Sequence, residues 1–244
     1  MNQQKVALIT GGSRGIGACI VKTLVADGFA VAVNYSSSAE EAEILVADIK
    51  ANGSNALAVK CNVANSVEVE NMFNTIENQL GNINVLVNNA GVMKLATLAQ
   101  SNDELFDSQI AINLKGTFNT LRLAADRVVN GGRIINLSTS VVGLKLETYG
   151  VYAATKSAVE TMSAILAKEL RGKSITVNTV APGPTATNLF LDGKPAELIE
   201  RLAKMNPMER LGTPEDIANV IAFLASANGG WVNGQVIRAN GGMI

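Results

Sequence analysis

What most constrains this chain is a rhythm in its sequence. Short runs of β-branched and aliphatic residues alternate with stretches that carry apolar residues at helical spacing. Seven runs, at residues 6–9, 30–33, 56–60, 85–87, 133–137, 176–180 and 236–238, read as strands. Most are apolar at nearly every position, the pattern of a strand covered on both faces. Segments near 15–27, 39–51, 66–79, 103–127, 151–170 and 214–226 predict helices between them. Gly28, Gly53, Gly81 and Gly172 sit just past four of these, where glycine accepts the left-handed turn that ends a helix. Alternating strands and helices predict an α/β fold, a doubly wound seven-stranded parallel sheet with helices on both faces. No linker, repeat or low-complexity tract interrupts it, so residues 1–244 are expected to form a single domain. The longest stretch without a strand or long helix follows Pro182. It is expected to be a substrate lid at about 184–212, with an apolar face from Leu189, Phe190, Leu191, Met205 and Met208 and a helical piece near 196–204. A surface excursion that merely covers the sheet is the alternative.

Composition closes off much chemistry. The chain contains no histidine and two cysteines, Cys19 and Cys61, each in an apolar stretch. Ser-His-Asp hydrolysis, Cys-His proteolysis, His-ligated metals and four-cysteine zinc sites are therefore excluded, and no metal is expected. With 20 Lys+Arg against 21 Asp+Glu the charge is nearly balanced, which argues against nucleic acid as a partner. No apolar run approaches the roughly 18 residues of a membrane span, and the opening MNQQKVALIT lacks the features of a secretory signal. A cytoplasmic setting without membrane attachment is the expectation. Catalysis must then rest on Ser, Tyr, Lys, Asn, carboxylates or a borrowed cofactor.

The first strand runs into Thr10-Gly11-Gly12-Ser13-Arg14-Gly15-Ile16-Gly17, with a helix opening near Gly15. Such glycines let backbone approach a phosphate, and the helix start offers free N–H groups to a pyrophosphate. Gly11, Gly15 and Gly17 form GxxxGxG, not GxGxxG, and a tight turn without a ligand is the bland alternative. Its position between the first strand and first helix favours a dinucleotide. The second strand ends Val33-Asn34-Tyr35-Ser36-Ser37-Ser38, and the first acid is Glu40. With no carboxylate to hold a ribose 2′-hydroxyl or repel a 2′-phosphate, NADP(H) is the expected cofactor. Arg14 and the serines would receive the phosphate, although Arg14 could equally be a solvated surface charge.

Tyr152 and Lys156 stand four residues apart at the start of a predicted helix and so share a face. An ammonium beside a phenol favours the phenolate, which predicts a lowered Tyr152 pKa and a usable proton donor or acceptor. Neither Tyr35 nor Tyr149 has a lysine four residues on. Ser140 lies just beyond the fifth strand, where a hydroxyl can face a substrate oxygen; Ser138 is the backup, and either could be an ordinary loop serine.

At this point the chain resembles the short-chain dehydrogenase/reductase family from end to end. The matching residues are Thr10 to Gly17, Asn88-Asn89-Ala90-Gly91, Asn113, Ser140, Tyr152 with Lys156, Pro182-Gly183 and the closing Gly241-Gly242. The resemblance implies a Rossmann-like fold and reversible hydride transfer between NADP(H) and a small-molecule carbonyl/alcohol pair. Tyr152 would protonate the carbonyl oxygen and Ser140 would hold it. Lys156 would tune Tyr152 and bind the nicotinamide ribose, and Asn113 would position a water in a proton relay. Cofactor contacts are implied at Gly11, Ser13, Arg14, Gly15, Ile16, Gly17, Asn34, Tyr35, Ser36, Asn62, Val63, Asn89, Ala90, Gly91, Tyr152, Lys156, Pro182, Gly183, Thr185 and Thr187. Three departures stand out: Asn62 replaces the family's usual Asp, the serine-to-tyrosine interval is twelve residues where thirteen is common, and only Arg127 and Arg133 are basic near the 131–133 turn. The expected activity is reduction of a ketone or aldehyde in a mostly apolar pocket walled by residues 92–98, 141–149 and the lid. A 3-oxoacyl-carrier-protein reductase is the alternative, and a non-catalytic NADP-binding sensor or scaffold a more distant one. Many members are homotetramers, which the resemblance extends to this chain.

Overall fold

The computed structural model describes residues 4–244. The first three residues, included above in the domain and in the signal-peptide argument, lie outside the described residues. Seven parallel strands form one sheet in the order β3-β2-β1-β4-β5-β6-β7. They are β1 Val6–Ile9, β2 Ala30–Tyr35, β3 Ala56–Lys60, β4 Ile83–Asn88, β5 Arg133–Leu137, β6 Thr176–Pro182 and β7 Val236–Ala239. Parallel neighbours need crossovers, and these are α1 Gly15–Ala26, α2 Ala39–Ala51, α3 Ser66–Gln79, α4 Asp103–Gln109 continuing through a π-helical turn into α5 Thr117–Arg127, α6 Val141–Leu144, α7 Gly150–Glu169, α8 Asn188–Leu191, α9 Ala196–Ala203 and α10 Pro214–Ala225.

The strands are apolar throughout because consecutive side chains feed different cores. Ala7, Ile9, Val31 and Val33 join Ile20, Leu24, Leu45 and Ile221 on one face. Val6, Leu8, Ala30 and Ala32 join Phe73, Ile76, Leu121 and Leu166 on the other. Burial of each large side chain contributes about 1.5–3 kcal/mol, so neither face tolerates exposure. Local signals fix the helix starts. Asn65 accepts from the N–H groups of Val67 and Glu68 at α3. Thr213 and Asp216 cap each other's backbone N–H at α10, with Pro214 in the first turn. Gly28, Gly53, Gly81 and Gly172 all adopt the left-handed conformation expected of them. Among the described residues, no helix is long and apolar enough to cross a membrane.

The structure departs from the simple pattern in residues 103–127. The expected single helix is interrupted by the π-helical turn Ile110–Gly116. Two amides four residues apart hold the segment after β4 against it. Asn113 accepts from Val92 N (2.8 Å) and donates to Val92 O (2.9 Å), while Gln109 makes a longer reciprocal pair with Lys94 (3.4 and 3.2 Å). π-Helical turns are rare and occur mostly as single turns inside α-helices, frequently at functional sites.

The sheet order reverses direction between β1 and β4, which leaves a crevice at their C-terminal ends. The glycine turn sits on one side of it. Gly11 and Gly15 have φ of +60° and +54°, and a Cβ on Gly17 would collide with the Gly11 carbonyl oxygen and Asn89 Nδ2. Gly17→Ala is therefore expected to lower unfolding stability by about 1–3 kcal/mol and to weaken dinucleotide binding. Urea unfolding and NADPH fluorescence titration check both; a neutral Gly17→Ala would mean that this turn is not tightly packed.

Candidate active site

A cavity of about 150 Å³ opens at the C-terminal edge of the sheet. It gathers Ile16, Asn89, Gly91, Ser140, Tyr152, Lys156, Pro182, Gly183, Thr185 and Thr187 from segments scattered through the sequence. Its apolar wall comprises Met93, Val141, Leu144, Leu146 and Tyr149, with Leu189, Phe190, Leu202 and Met205 from the expected lid. The segment expected to be a lid is an excursion with a closed base. Thr185 bridges Gly212, and Gly212 N donates to Pro184 O at 2.9 Å. Met243, near the C-terminus, also lines the cavity and was not anticipated; only the tertiary fold brings it there.

Strand β5 ends next to β6, and this places Ser140. Its backbone N donates to Pro182 O (2.8 Å) and its hydroxyl to Ala181 O (3.1 Å). Ser138, the backup, instead donates to Glu160 Oε1 at 2.5 Å. Both are buried, but Ser138 is committed to a carboxylate, so Ser140 is the serine with a choice of acceptor.

Tyr152 and Lys156 lie on one face of α7, as their spacing requires. The Lys156 ammonium is 5.9 Å from the Tyr152 ring centroid and donates to Leu137 O at 2.8 Å. The sequence predicts that this ammonium lowers the Tyr152 pKa; the structure reverses the sign. Burial, aided by the nearby Tyr149, pushes the phenol up to about 12. Burial also lowers Lys156 to about 8. Desolvation wins because the ammonium is turned towards a carbonyl and is itself close to losing its proton. Tyr149 stands edge-on to Tyr152, with ring centroids 6.4 Å apart. Burial therefore favours the neutral form of both groups, the phenol being pushed up and the ammonium down.

The remaining predicted residues occupy two regions. Gly91 lies between Asn113 and Lys156, such that a Cβ there would be 3.3 Å from Asn113 Oδ1 and 3.5 Å from Lys156 Nζ. The Asn113 side chain, expected to serve a water relay, is committed to Val92 and, at 3.3 Å, to Thr155. Asn34, expected among the cofactor contacts, is 1% exposed. Its amide instead accepts from Gly11 N and donates to Val59 O and Cys61 O, pinning the glycine turn to β2 and β3. Arg14 and Ser36 are exposed, and Ser13 and Tyr35 half-buried, along the open side of that turn. Asn62 is exposed after β3 and accepts from Ala64 N, whereas Val63 is buried and its carbonyl accepts from Asn119. Ala90 N donates to Thr10 Oγ1. Thr187 caps α8 and lies over Gly15, within 3.6 Å of where a Cβ would stand.

This arrangement fits a dinucleotide. Gly11, Gly15 and Gly17 leave bare backbone at the start of α1, and the crevice leads from Arg14 past Asn89 and Gly91 to Tyr152 and Lys156. Among the described residues, no cluster of three His, Cys, Asp or Glu could hold a metal ion.

Residues 11–244 match a family model described as enoyl-(acyl carrier protein) reductase. The chain is 46% identical to a short-chain type dehydrogenase/reductase of Picea abies, covering 98% of this chain and 92% of that one. The chain belongs to the short-chain dehydrogenase/reductase family. It is also 42% identical to the chloroplastic NADPH-dependent aldehyde reductase 2 of Arabidopsis thaliana, over 98% of this chain and 94% of that one. A crystal structure of a short-chain dehydrogenase from Burkholderia cenocepacia in complex with NADP superposes with a TM-score of 0.93. That protein is 34% identical, and the match covers 100% of this chain and 99% of the other. The Rossmann-like, doubly wound architecture of this family member is therefore shared along its whole described length.

The buried lysine has a measurable consequence. Between about pH 8 and 10.5 the unfolded chain holds a proton on Lys156 that the folded chain releases, so the contribution of Lys156 to stability rises with pH across that window, while the raised Cys19, Cys61 and Tyr152 groups oppose it in the upper part. Below it, the full penalty of burying the charge applies. Lys156→Met removes the titration. Its stability relative to the native protein should fall by about 3 kcal/mol between pH 7 and pH 10.5, read by urea unfolding at several pH values. A pH-independent difference would show that Lys156 titrates normally.

Proposed function

We propose that this chain is an NADPH-dependent oxidoreductase that reduces a ketone or aldehyde to the alcohol. The observation that carries the reading is the convergence of Ser140, Tyr152 and Lys156 in the wall of one predominantly apolar cavity, where burial favours the protonated phenol. When bound, the nicotinamide supplies hydride to the carbonyl carbon. Tyr152 Oη gives its proton to the carbonyl oxygen as negative charge develops there, and Ser140 Oγ donates a hydrogen bond to the same oxygen. A phenol held up at about 12 keeps its proton throughout the neutral range, which suits reduction more than oxidation. Lys156 stands below Tyr152, where it can bind the nicotinamide ribose and return a proton to the phenolate through solvent. Asn113 contributes by holding Val92, and with it one side of the cavity.

NADP(H) is supported by the end of β2. Tyr35 and Ser36 stand where an acid would hold a 2′-hydroxyl, and the exposed Arg14 guanidinium is available to a 2′-phosphate. The named aldehyde reductase and the NADP complex among similar proteins point the same way. Leu144, Leu146, Tyr149, Phe190 and Met205 favour an apolar small-molecule substrate. Assembly as a homotetramer is part of the reading. Phe106, Phe118 and Ile165, on α4, α5 and α7, are 48%, 46% and 50% exposed and would be covered by neighbouring copies. Sedimentation equilibrium tests this, and a monomer at micromolar concentration would remove it.

NADPH oxidation against aryl ketones, β-keto esters, aldehydes, steroids and an acetoacetyl thioester tests the activity. Turnover of free carbonyls is expected, with a higher kcat/KM for NADPH than for NADH. Turnover of the thioester alone would instead assign a 3-oxoacyl-carrier-protein reductase, and no turnover at all a non-catalytic NADP-binding protein. Tyr152→Phe should reduce kcat by about 10²–10⁴-fold while leaving NADPH affinity within about threefold. Full activity in Tyr152→Phe would exclude the proton-transfer role.

A further inference from the structure

The end of the chain returns to Ser140. Pairing of β7 with β6 sets Ala239 against Pro182, and Gly183 N donates to Ala239 O at 2.9 Å. This packs Asn240 against Gly183 so closely that a Cβ on Gly183 would lie 2.9 Å from Asn240 Cα and Cβ. Asn240 is buried, at 9% exposure. Its side-chain oxygen accepts from Gly242 N (3.1 Å) and Met243 N (3.3 Å), and its Nδ2 faces Ser140 Oγ at 2.9 Å.

These partners fix the direction of every bond. Backbone N–H groups only donate, so the amide end facing Gly242 and Met243 must be the oxygen. The end facing Ser140 is then NH₂, which also only donates. Ser140 Oγ must accept from Asn240, and its own proton must go elsewhere. Two directions remain: the Ala181 carbonyl, which takes it in this structure at 3.1 Å, and the cavity that Ser140 lines.

We propose that Asn240 is a positioning residue for carbonyl reduction. It holds Ser140 Oγ as an acceptor, so that the hydroxyl proton is free to transfer its hydrogen bond from Ala181 O to the substrate oxygen. It also fastens to the same serine the tail whose Met243 walls the cavity. A hydroxyl that accepts a hydrogen bond becomes a better donor, so the Asn240 contact strengthens the bond that Ser140 makes to developing negative charge. Nothing in the local sequence connects positions 140 and 240; the contact exists because β7 lies beside β6.

The inference rests on the reductase reading, and a double-mutant cycle separates the two. Asn240→Ala should lower kcat by about tenfold, the scale of one hydrogen bond, with NADPH affinity unchanged by fluorescence titration. In a Ser140→Ala background, followed under single-turnover conditions with enzyme in excess, Asn240→Ala should cost clearly less than about tenfold, because only its hold on the tail remains to be lost. An equal loss in both backgrounds would overturn the proposal, since a purely structural role does not depend on Ser140. Asn240→Asp is the companion variant. It keeps acceptors for Gly242 N and Met243 N but offers Ser140 no donor, so it should show the same background-dependent loss without loosening the tail. If Tyr152→Phe is inactive and either Asn240 variant is additive with Ser140→Ala, only this inference fails. If Tyr152→Phe is fully active, the reductase mechanism fails with it.

Discussion

A strand buried on both faces can reach a parallel neighbour only by a crossover, and each crossover here returns the chain to the same end of the sheet. The seam on which the site depends is β1 against β4, where Ile9 aligns with Val87 and the sheet order reverses. Just past that pair, Thr10 Oγ1 accepts from the backbone N of both Asn89 and Ala90, and Asn89 Nδ2 donates to Thr10 O and Gly11 O. These bonds hold the glycine turn to the segment leading towards Lys156. Asn34 secures the other side of the turn to β2 and β3. The turn is therefore rigid before any ligand arrives, which lowers the ordering cost of binding one.

Burial governs the chemistry of the site as much as pairing does. The same desolvation raises the Tyr152 phenol and lowers the Lys156 ammonium, so both drift towards their neutral forms. In the proposed reduction, a neutral acid in an apolar cavity would give its proton to a substrate oxygen as negative charge develops there. With no histidine in the chain, the lysine is the group nearest neutrality in this site. Charge, and not only contact, thus distinguishes this pair from a tyrosine and a lysine four apart on an open helix face.

Much of the architecture was legible in the sequence because its signals are local. Strand positions follow from continuous apolar runs, and the ends of α1, α2, α3 and α7 from glycines that adopt the left-handed turn. The π-helical turn was not read, although Gln109 and Asn113, two amides four apart in a helical pattern, were its signal. The family resemblance implies a cofactor contact at Asn34, whereas its inward direction depends on β3 lying alongside β2. Met243 and Asn240 were out of reach, since their neighbours are a hundred residues away in the chain.

The sequence by itself determined the strands, the crossovers, the glycine turn and the residue types available for catalysis, because periodicity and composition act over a few residues. Only the tertiary structure decided which serine is available, which way the Tyr152 pKa moves and that Met243 joins the cavity wall. Those outcomes depend on desolvation and on hydrogen-bond partners from distant segments, and neither exists until the sheet has assembled.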